Sequence, residues 1–390
     1  MNVAELLNQS IFDLPVSWVG YEYNDTQGPQ TCRSYHQFVN RRLSEYQELL
    51  EQLDDIEVMG EVRHIIRVDQ VSHAEEVRRA VRGLCIGIRT TLNAYANGSP
   101  SNAYKELCRA LEPSGNAGLF IAPGGYFNLH APAEKVYYRL RYSNTPLTEP
   151  YELFHLPFEQ RWRSRSYRFS IAGYPSLYAA TSLPLALYES RGHRWSRDLY
   201  AAKLKAIPRT SPDMPIRSVY FLDLRNQVET LRRRYTQTGP YAGEILGFLV
   251  RWPLIMATSV PTGHPASANP GFQEEYVLPQ LLLEWVNNVR GQPHKITGIA
   301  FSSSRTEAAT LTLAGHYNIV VPAEAPSATG WCTVRTRQFE LTRPIGLAQF
   351  VDDTLEQSVD VLSRQLDTAL SAEPYHRLNA FPPSNNNVAS

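Results

Sequence analysis

Tyr138-Arg139-Leu140-Arg141 opens the stretch that decides the fold. Glu152-Leu153-Phe154-His155-Leu156-Pro157-Phe158 follows, then Arg168-Phe169-Ser170-Ile171-Ala172-Gly173-Tyr174-Pro175-Ser176-Leu177-Tyr178, and finally Glu189. Arginines and tyrosines alternate with apolar residues in strand-like runs, and Ser182 introduces a helix over 183–190 that ends near the glutamate. Arg139, Arg141 and Arg168 are candidate anion binders, because a planar guanidinium donates two parallel hydrogen bonds and keeps its charge. Tyr138 and Tyr178 offer flat stacking surfaces. Glu189 can stabilise positive charge developing on a sugar carbon, as carboxylates do in glycoside cleavage. The combination suits an anionic, partly aromatic ligand such as a dinucleotide.

Outward from this stretch, 136–142, 167–171, 176–180, 218–224, parts of 245–260, 298–302 and 317–321 read as strands. Pro279 suits the first turn of a helix over 279–286. The segment Gly298-Ile299-Ala300-Phe301-Ser302-Ser303-Ser304-Arg305 ends a strand in hydroxyls and an arginine, a phosphate or ribose contact. Upstream, residues 40–112 read as helical. Leu43, Tyr46, Leu49, Leu50 and Leu53 recur at helical spacing, and Ser72 with Glu75 forms a capping box before a second apolar stripe from Val77 to Leu92. A third helix covers 102–111. Arg78, Arg79, Arg82 and Arg89 read as a solvated face rather than a nucleic-acid site. Residues 113–125 are a Gly- and Pro-rich linker or entry loop. A last helix is expected over 351–370, and the Pro-, Asn- and Ser-rich tail beyond Glu373 is expected to be disordered.

The chain has 390 residues, with 38 Lys and Arg against 38 Asp and Glu, so no net field recruits nucleic acid or an anionic membrane. No apolar run is long enough to span a membrane. The N-terminus lacks the pattern of a secretory signal, and the four cysteines are far apart without a Cys-x-x-Cys pair. A cytoplasmic protein without disulfides is the expectation. The histidines lack ligand spacing, so no metal is expected, and His155 reads as a satisfied histidine before a catalytic one. Gly-x-Gly-x-x-Gly, the Walker loop, His-Glu-x-x-His and Gly-x-Ser-x-Gly are all missing, which argues against Rossmann, P-loop, zincin and serine-hydrolase chemistry.

The ordered pieces of residues 138–189, with Glu275-Tyr276-Val277-Leu278-Pro279-Gln280-Leu281-Leu282 and the 298–305 strand, resemble the RES domain, a family of bacterial NAD-degrading toxins named for its arginine, glutamate and serine. The resemblance covers roughly 134–325. It places the family arginine on Arg139, the glutamate on Glu189 and an active-site tyrosine on Tyr178. Arg168 matches the basic position before that tyrosine. The serine falls on Ser303, with Ser302 and Ser304 flanking it. Tyr138 and Arg141 are expected on the substrate side.

The expected chain is α+β: an N-terminal helical domain, read from its apolar stripes and outside the resemblance, and then, as the resemblance implies, an ADP-ribosyltransferase-like split β-sandwich with surrounding helices. The divisions are 1–112 (helical, accessory), 113–345 (RES-like, NAD-binding and catalytic), 346–372 (C-terminal helix) and 373–390 (tail). It also implies that NAD is the substrate rather than a cofactor, cleaved at the nicotinamide–ribose bond with phosphate or water as acceptor. If inorganic phosphate is the acceptor, Arg168 with Ser303 would hold it. The alternatives are an ADP-ribosyltransferase acting on a macromolecule and a silent module that binds NAD or a partner. Expected partners are NAD and an antitoxin or other regulator, with neither membrane nor nucleic acid. The amphipathic stripes of 1–112 must be buried on each other, on residues 134–325 or on a second copy, and docking or self-association into a homo-oligomer is favoured.

Overall fold

A computed structural model of the chain describes residues 1–15, 17–25, 28–54, 73–112, 128–130, 135–190, 198–207, 219–238, 242–263, 272–288, 296–305, 311, 314–324, 327–351 and 358–378. In chain order the helices are α1 (Val3–Leu7), α2 (Tyr35–Glu51), α3 (His73–Ala96), α4 (Pro100–Leu111), α5 (Leu183–Glu189), α6 (Val228–Thr238), α7 (Ala242–Ser259), α8 (Val277–Asn288), α9 (Thr333–Thr336) and α10 (Val359–Ala372). The strands are β1 (Glu22–Asp25), β2 (Gly28–Thr31), β3 (Asn128–His130), β4 (Val136–Tyr142), β5 (Ser176–Ala180), β6 (Leu199–Ala206), β7 (Tyr220–Leu224), β8 (Gly298–Phe301), β9 (Asn318–Pro322), β10 (Phe339–Leu341), β11 (Ile345–Gly346) and β12 (His376–Arg377). The class is α+β. Two compact units divide the chain: residues Met1–Asn128 with Leu222–Trp285, and residues Leu129–Phe221 with Val286–Ser390.

The first unit is mainly helical. Ser34 caps α2 by accepting from the Gln37 amide (3.1 Å), and Phe38, Val39, Leu43, Tyr46 and Leu50 form its buried stripe. Helices α3 and α4 approach so closely that a Cβ on Gly87 would stand 2.1 Å from that of Ala110. Two of the arginines expected on a solvated face turn inward instead. Arg78 donates to the carbonyls of Leu50 (3.0 Å) and Leu53, and Arg89 donates to Gln47 (2.9 Å) and Ser44 (3.0 Å), tying α3 to α2 and its C-terminal end. The Ser72 capping box and the 113–125 linker lie outside the described residues.

Strands were expected in 245–260, but the segment is helix α7. Ile245, Leu249, Trp252, Ile255, Met256 and Val260 are all buried, as is much of the sequence between them. A long apolar run buried on all sides forms a helix, which satisfies its own backbone, more readily than one long strand. Pro253 sits inside it and cannot donate to the carbonyl of Leu249. The buried hydroxyl of Tyr46 donates to that carbonyl instead, at 2.7 Å.

The second unit is built on a sheet in which β12, β10, β6, β4, β5, β9 and β8 are neighbours in that order, followed by the start of β7. The strands form one hydrogen-bonded path rather than two separate ladders, so the two packed sheets of a split sandwich are not what the ladder itself displays. Strand β6 was not anticipated. Its Ala- and Lys-rich sequence has poor strand propensity, yet it pairs with β4 from Val136↔Lys205 to Tyr142↔Leu199. Tertiary pairing overrides the local preference.

Residues 167–171, expected as a strand, form a turn. Ser170 Oγ accepts from the Tyr167 amide (3.1 Å) and donates to its carbonyl (3.0 Å), and among the described residues the pairing there is the single bridge Ile171↔Tyr174 around Gly173, at φ 64°. A hydroxyl that satisfies local backbone groups competes with a ladder.

Alternation along β4 separates two apolar clusters. Tyr137 packs with Leu153, Phe154, Leu177, Leu204, Phe221 and Ile319. Tyr138 and Leu140 pack toward Leu183 and Leu187 of α5 and Leu362, Leu366 and Leu370 of α10. Helix α10 begins at Val359, later than expected, where Ser358 Oγ accepts from the Val361 amide (3.4 Å). The start of the tail is not disordered: β12 pairs with β10, and Leu378 is buried. Residues 379–390 lie outside the described residues.

Candidate active site

Strand β4 is zipped to β6 along its length but to β5 at one register pair, Tyr138↔Ala180. That pair begins a cross-strand row. Ala180 pairs with Asn318 on β9, and Asn318 pairs with Phe301 on β8. The row crosses three strand spacings, roughly 14 Å. Arg139 lies one residue from its first end, and Ser302-Ser303 follow directly at its last.

At the first end, Arg139 is enclosed but still reached by solvent. Its Nε donates to the Leu153 carbonyl (3.2 Å), and no carboxylate pairs with it among the described contacts. Burial pulls the guanidinium below the usual arginine pKa, partly offset by Tyr167 and Tyr178 nearby. Tyr178 donates its hydroxyl to the Phe169 carbonyl, and its ring meets that of Tyr167 edge-on at 5.2 Å. Arg168 is half-buried just before Phe169. The Phe169 ring contacts Phe301 at 4.6 Å and so links this cluster to the far end of the row.

At that far end stands Glu189, the last residue of α5, whose start is fixed by Ser182 Oγ accepting from the Leu185 amide. Its carboxylate is held on both oxygens. Ser303 Oγ (2.6 Å) and Asn318 Nδ2 (2.9 Å) donate to Oε1, and Arg305 Nε lies 3.2 Å from Oε2. Glu189 is nevertheless 30% exposed. Ser303, the middle of the three candidate serines, is the one that touches it.

Two residues expected on the substrate side are otherwise engaged. Arg141 donates to the carbonyls of Glu152 and Phe154 (2.7 Å), bracing the 152–158 loop. Burial, with Arg139 and Arg163 nearby, lowers its pKa to about 9. The Tyr138 hydroxyl donates to Asp367 on α10 (2.6 Å), with Lys203 Nζ 3.0 Å from the same carboxylate. Burial, reinforced by Asp367, raises the Tyr138 pKa.

His155 is buried with both ring nitrogens occupied. Nδ1 meets the Leu156 carbonyl (2.7 Å), and Nε2 accepts from the Cys332 amide (3.1 Å), which assigns the neutral tautomer. Burial, despite the bond to Leu156, lowers its pKa to about 4. Glu275 belongs to the first unit, where its Oε1 accepts from Trp18 and from the Gly263 amide (2.6 Å). Among the described residues no group of three or more His, Cys, Asp or Glu is placed to hold a metal ion, and no helix is long and apolar enough to cross a membrane.

Asn318 is the site residue that sequence reasoning missed. Its signal is modest: a lone polar residue heading the apolar run Ile319-Val320-Val321. Arg305 was visible only as the end of a hydroxyl-rich segment.

Compared with known families, residues 136–342 match the RES domain, a span that contains Arg139, Tyr178, Glu189 and Ser303. The chain belongs to the RES domain family. It is also similar to a Bacillus subtilis (strain 168) protein named "Putative toxin YopC", 28% identical over 222 residues, which is 55% of this chain and 47% of that protein. The chain thus spans about half the length of the curated relative it matches. No solved structure matches it. Within the matched segment, Glu189 and Ser303 are in direct contact, while Arg139 lies one residue from the other end of the row.

Proposed function

We propose that this RES protein cleaves NAD between nicotinamide and ribose, with residues 113–345 carrying the activity. The observation that carries the reading is an enclosed arginine with no counter-anion among the described residues, next to a row that leads to a braced, part-exposed carboxylate. A buried cation without a partner is costly, and an incoming pyrophosphate would remove that cost. Among the described residues the Nη groups of Arg139 take no partner and could form such a fork, whereas Arg141 has spent its own on carbonyls. Tyr178, with Tyr167 beside it, supplies a face for the nicotinamide ribose or ring.

Nicotinamide in NAD is already cationic and leaves as a neutral molecule, so its departure requires no acid. The barrier lies in the oxocarbenium-like sugar that remains. Glu189, fixed by Ser303, Asn318 and Arg305, would stabilise that cation more in the transition state than in the ground state. Phosphate or water completes the reaction at the sugar carbon.

Such an activity would deplete a cell of NAD. With the relative's name, that supports a toxin role held in check by a regulatory partner or antitoxin. The test is incubation of purified protein with NAD and identification of products by mass spectrometry. Free nicotinamide with ADP-ribose or its 1″-phosphate is expected. ADP-ribose attached to a macromolecule would point to a transferase, and intact NAD to a silent binding module.

A further inference from the structure

We infer that residues 161–168 form a binding surface for single-stranded nucleic acid, with Arg161, Arg163 and Arg165 on its phosphates and Trp162 under one of its bases. The whole chain is neutral, but its charge is unevenly spread. Between Glu159 and Glu189 there are four arginines, all within Arg161-Trp162-Arg163-Ser164-Arg165-Ser166-Tyr167-Arg168, and no carboxylate. Such a cluster sets its own local field, because charges farther away than about 8 Å are largely screened at physiological salt. Exposed Arg82 and Arg234, by contrast, each meet a glutamate, Glu51 and Glu244. Among the described residues the exposed side chains of Arg161 and Arg165 take no partner, and Arg163 donates to the neutral amide oxygen of Gln160 (2.9 Å).

Trp162 is 80% exposed, and among the described residues its indole makes no hydrogen bond or ring contact. Tyr167, near the other end, is 50% exposed, and its ring meets that of Tyr178, so the surface runs to the candidate active site. A nucleobase covers an exposed ring by stacking on it, whatever its sequence. The segment is also held from beneath. Phe158 and Phe169 are buried on either side of it, Glu159 accepts from the Gly330 amide (2.6 Å), and Ser170 Oγ binds both the amide and the carbonyl of Tyr167. A surface framed in this way loses little freedom when it binds. From Trp162 to Tyr167 the chain spans at most about 18 Å, which limits the contact to a few nucleotides. An acidic peptide would satisfy the arginines, but its carboxylates offer nothing flat to Trp162. An anionic membrane would need an apolar face there, and the residues around Trp162 in the sequence are arginines and the hydroxyls of Ser164 and Ser166.

The test is fluorescence anisotropy of short labelled single strands, RNA and DNA, mixed with the full chain across a salt titration. It needs no NAD and stands apart from the cleavage reading. A single strand should bind more tightly than a duplex of the same length, whose bases are already stacked on one another. The logarithm of affinity should fall with the logarithm of salt at a slope of about −2, as three phosphate contacts on a single strand require. Arg161→Ala combined with Arg165→Ala should bring the slope to about −0.7, one contact remaining. Trp162→Ala should keep the slope but weaken binding at least about fivefold, the low end for one stacked base, and Trp162→Phe should recover most of the loss. These three side chains are exposed, and matched thermal melts confirm that the variants fold. A preference between RNA and DNA identifies the source of the strand and upholds the surface. No binding of either single strand at low salt overturns the proposal. So does a duplex bound as tightly as a single strand, or binding indifferent to Trp162, since bare charge would then account for it. A polyglutamate peptide or a phosphatidylserine vesicle bound more tightly than the single strands, and lost in the same variants, would give the surface to that partner instead.

Discussion

Arg139 and Arg141 are two residues apart on one strand, yet their surroundings divide them. Arg141 hydrogen-bonds two backbone carbonyls and braces a loop, whereas among the described residues Arg139 has one such bond and no counter-charge. Arg139→Ala should therefore raise KM for NAD strongly, and Arg139→Lys should recover only part of the loss, because lysine restores the charge without the bidentate fork. Steady-state kinetics on both variants checks this, and equal KM in all three proteins would place Arg139 outside the binding site.

His155 makes a different prediction, about stability. Its imidazole remains neutral in the fold down to about 4, against 6.5 in the unfolded chain. Between those values the unfolded state binds the extra proton, so stability is full above pH 6.5 and falls as the pH drops toward 4. The gap is worth on the order of 3 kcal/mol. Urea unfolding at pH 7, 6, 5 and 4.5 should show the midpoint falling, and His155→Gln should flatten the slope while lowering stability at pH 7 through the disturbed Cys332 and Leu156 contacts.

Among the elements, α7 is the most exacting. Pro253 leaves the Leu249 carbonyl without its helical donor, and Tyr46 Oη, on α2, supplies one at 2.7 Å. Tyr46→Phe keeps the ring, so the lost stability isolates that bond: about 1–3 kcal/mol for an acceptor left buried and unsatisfied. An unfolding free energy equal to wild type would mean the carbonyl finds another partner. The same element explains where sequence reasoning stopped short. Strands β4 and β5, helix α5 and the α3 stripe were legible because local pattern and tertiary role agree in them. In 245–260, near-continuous burial erases the periodicity that separates helix from strand. Strand β6 was hidden for the opposite reason, since its Ala- and Lys-rich sequence becomes a strand only against β4. At the candidate site, Arg139, Tyr178, Glu189 and Ser303 were expected from their motifs, and the fold brings Glu189 and Ser303 into contact. Asn318 became visible only when register placed it against Ala180 and Phe301.

At the scale of the whole molecule, the helical region is not closed by residues 1–112. Its compact unit also takes in Leu222–Trp285, where α7 supplies the backbone partner of Tyr46 and Trp252 packs on Phe12 with ring centroids 5.0 Å apart. A fragment of residues 1–112 should therefore fail to form a stable monomer, aggregating or self-associating on the face that α7 covers. Analytical ultracentrifugation and thermal melting of the fragment check this, and a cooperative monomer would show that α2, α3 and α4 suffice.

The central claim is that a braced Glu189 cleaves NAD bound through Arg139, and one comparison tests it most directly. Wild type and Glu189→Gln are incubated with NAD, with folding confirmed by matched circular dichroism, and nicotinamide release is followed over time. Wild type should release nicotinamide, and Glu189→Gln should do so at least about 10²-fold more slowly, because the amide keeps the shape and removes the charge that stabilises the sugar cation. Equal rates from the two folded proteins, or no release from wild type, would contradict the account.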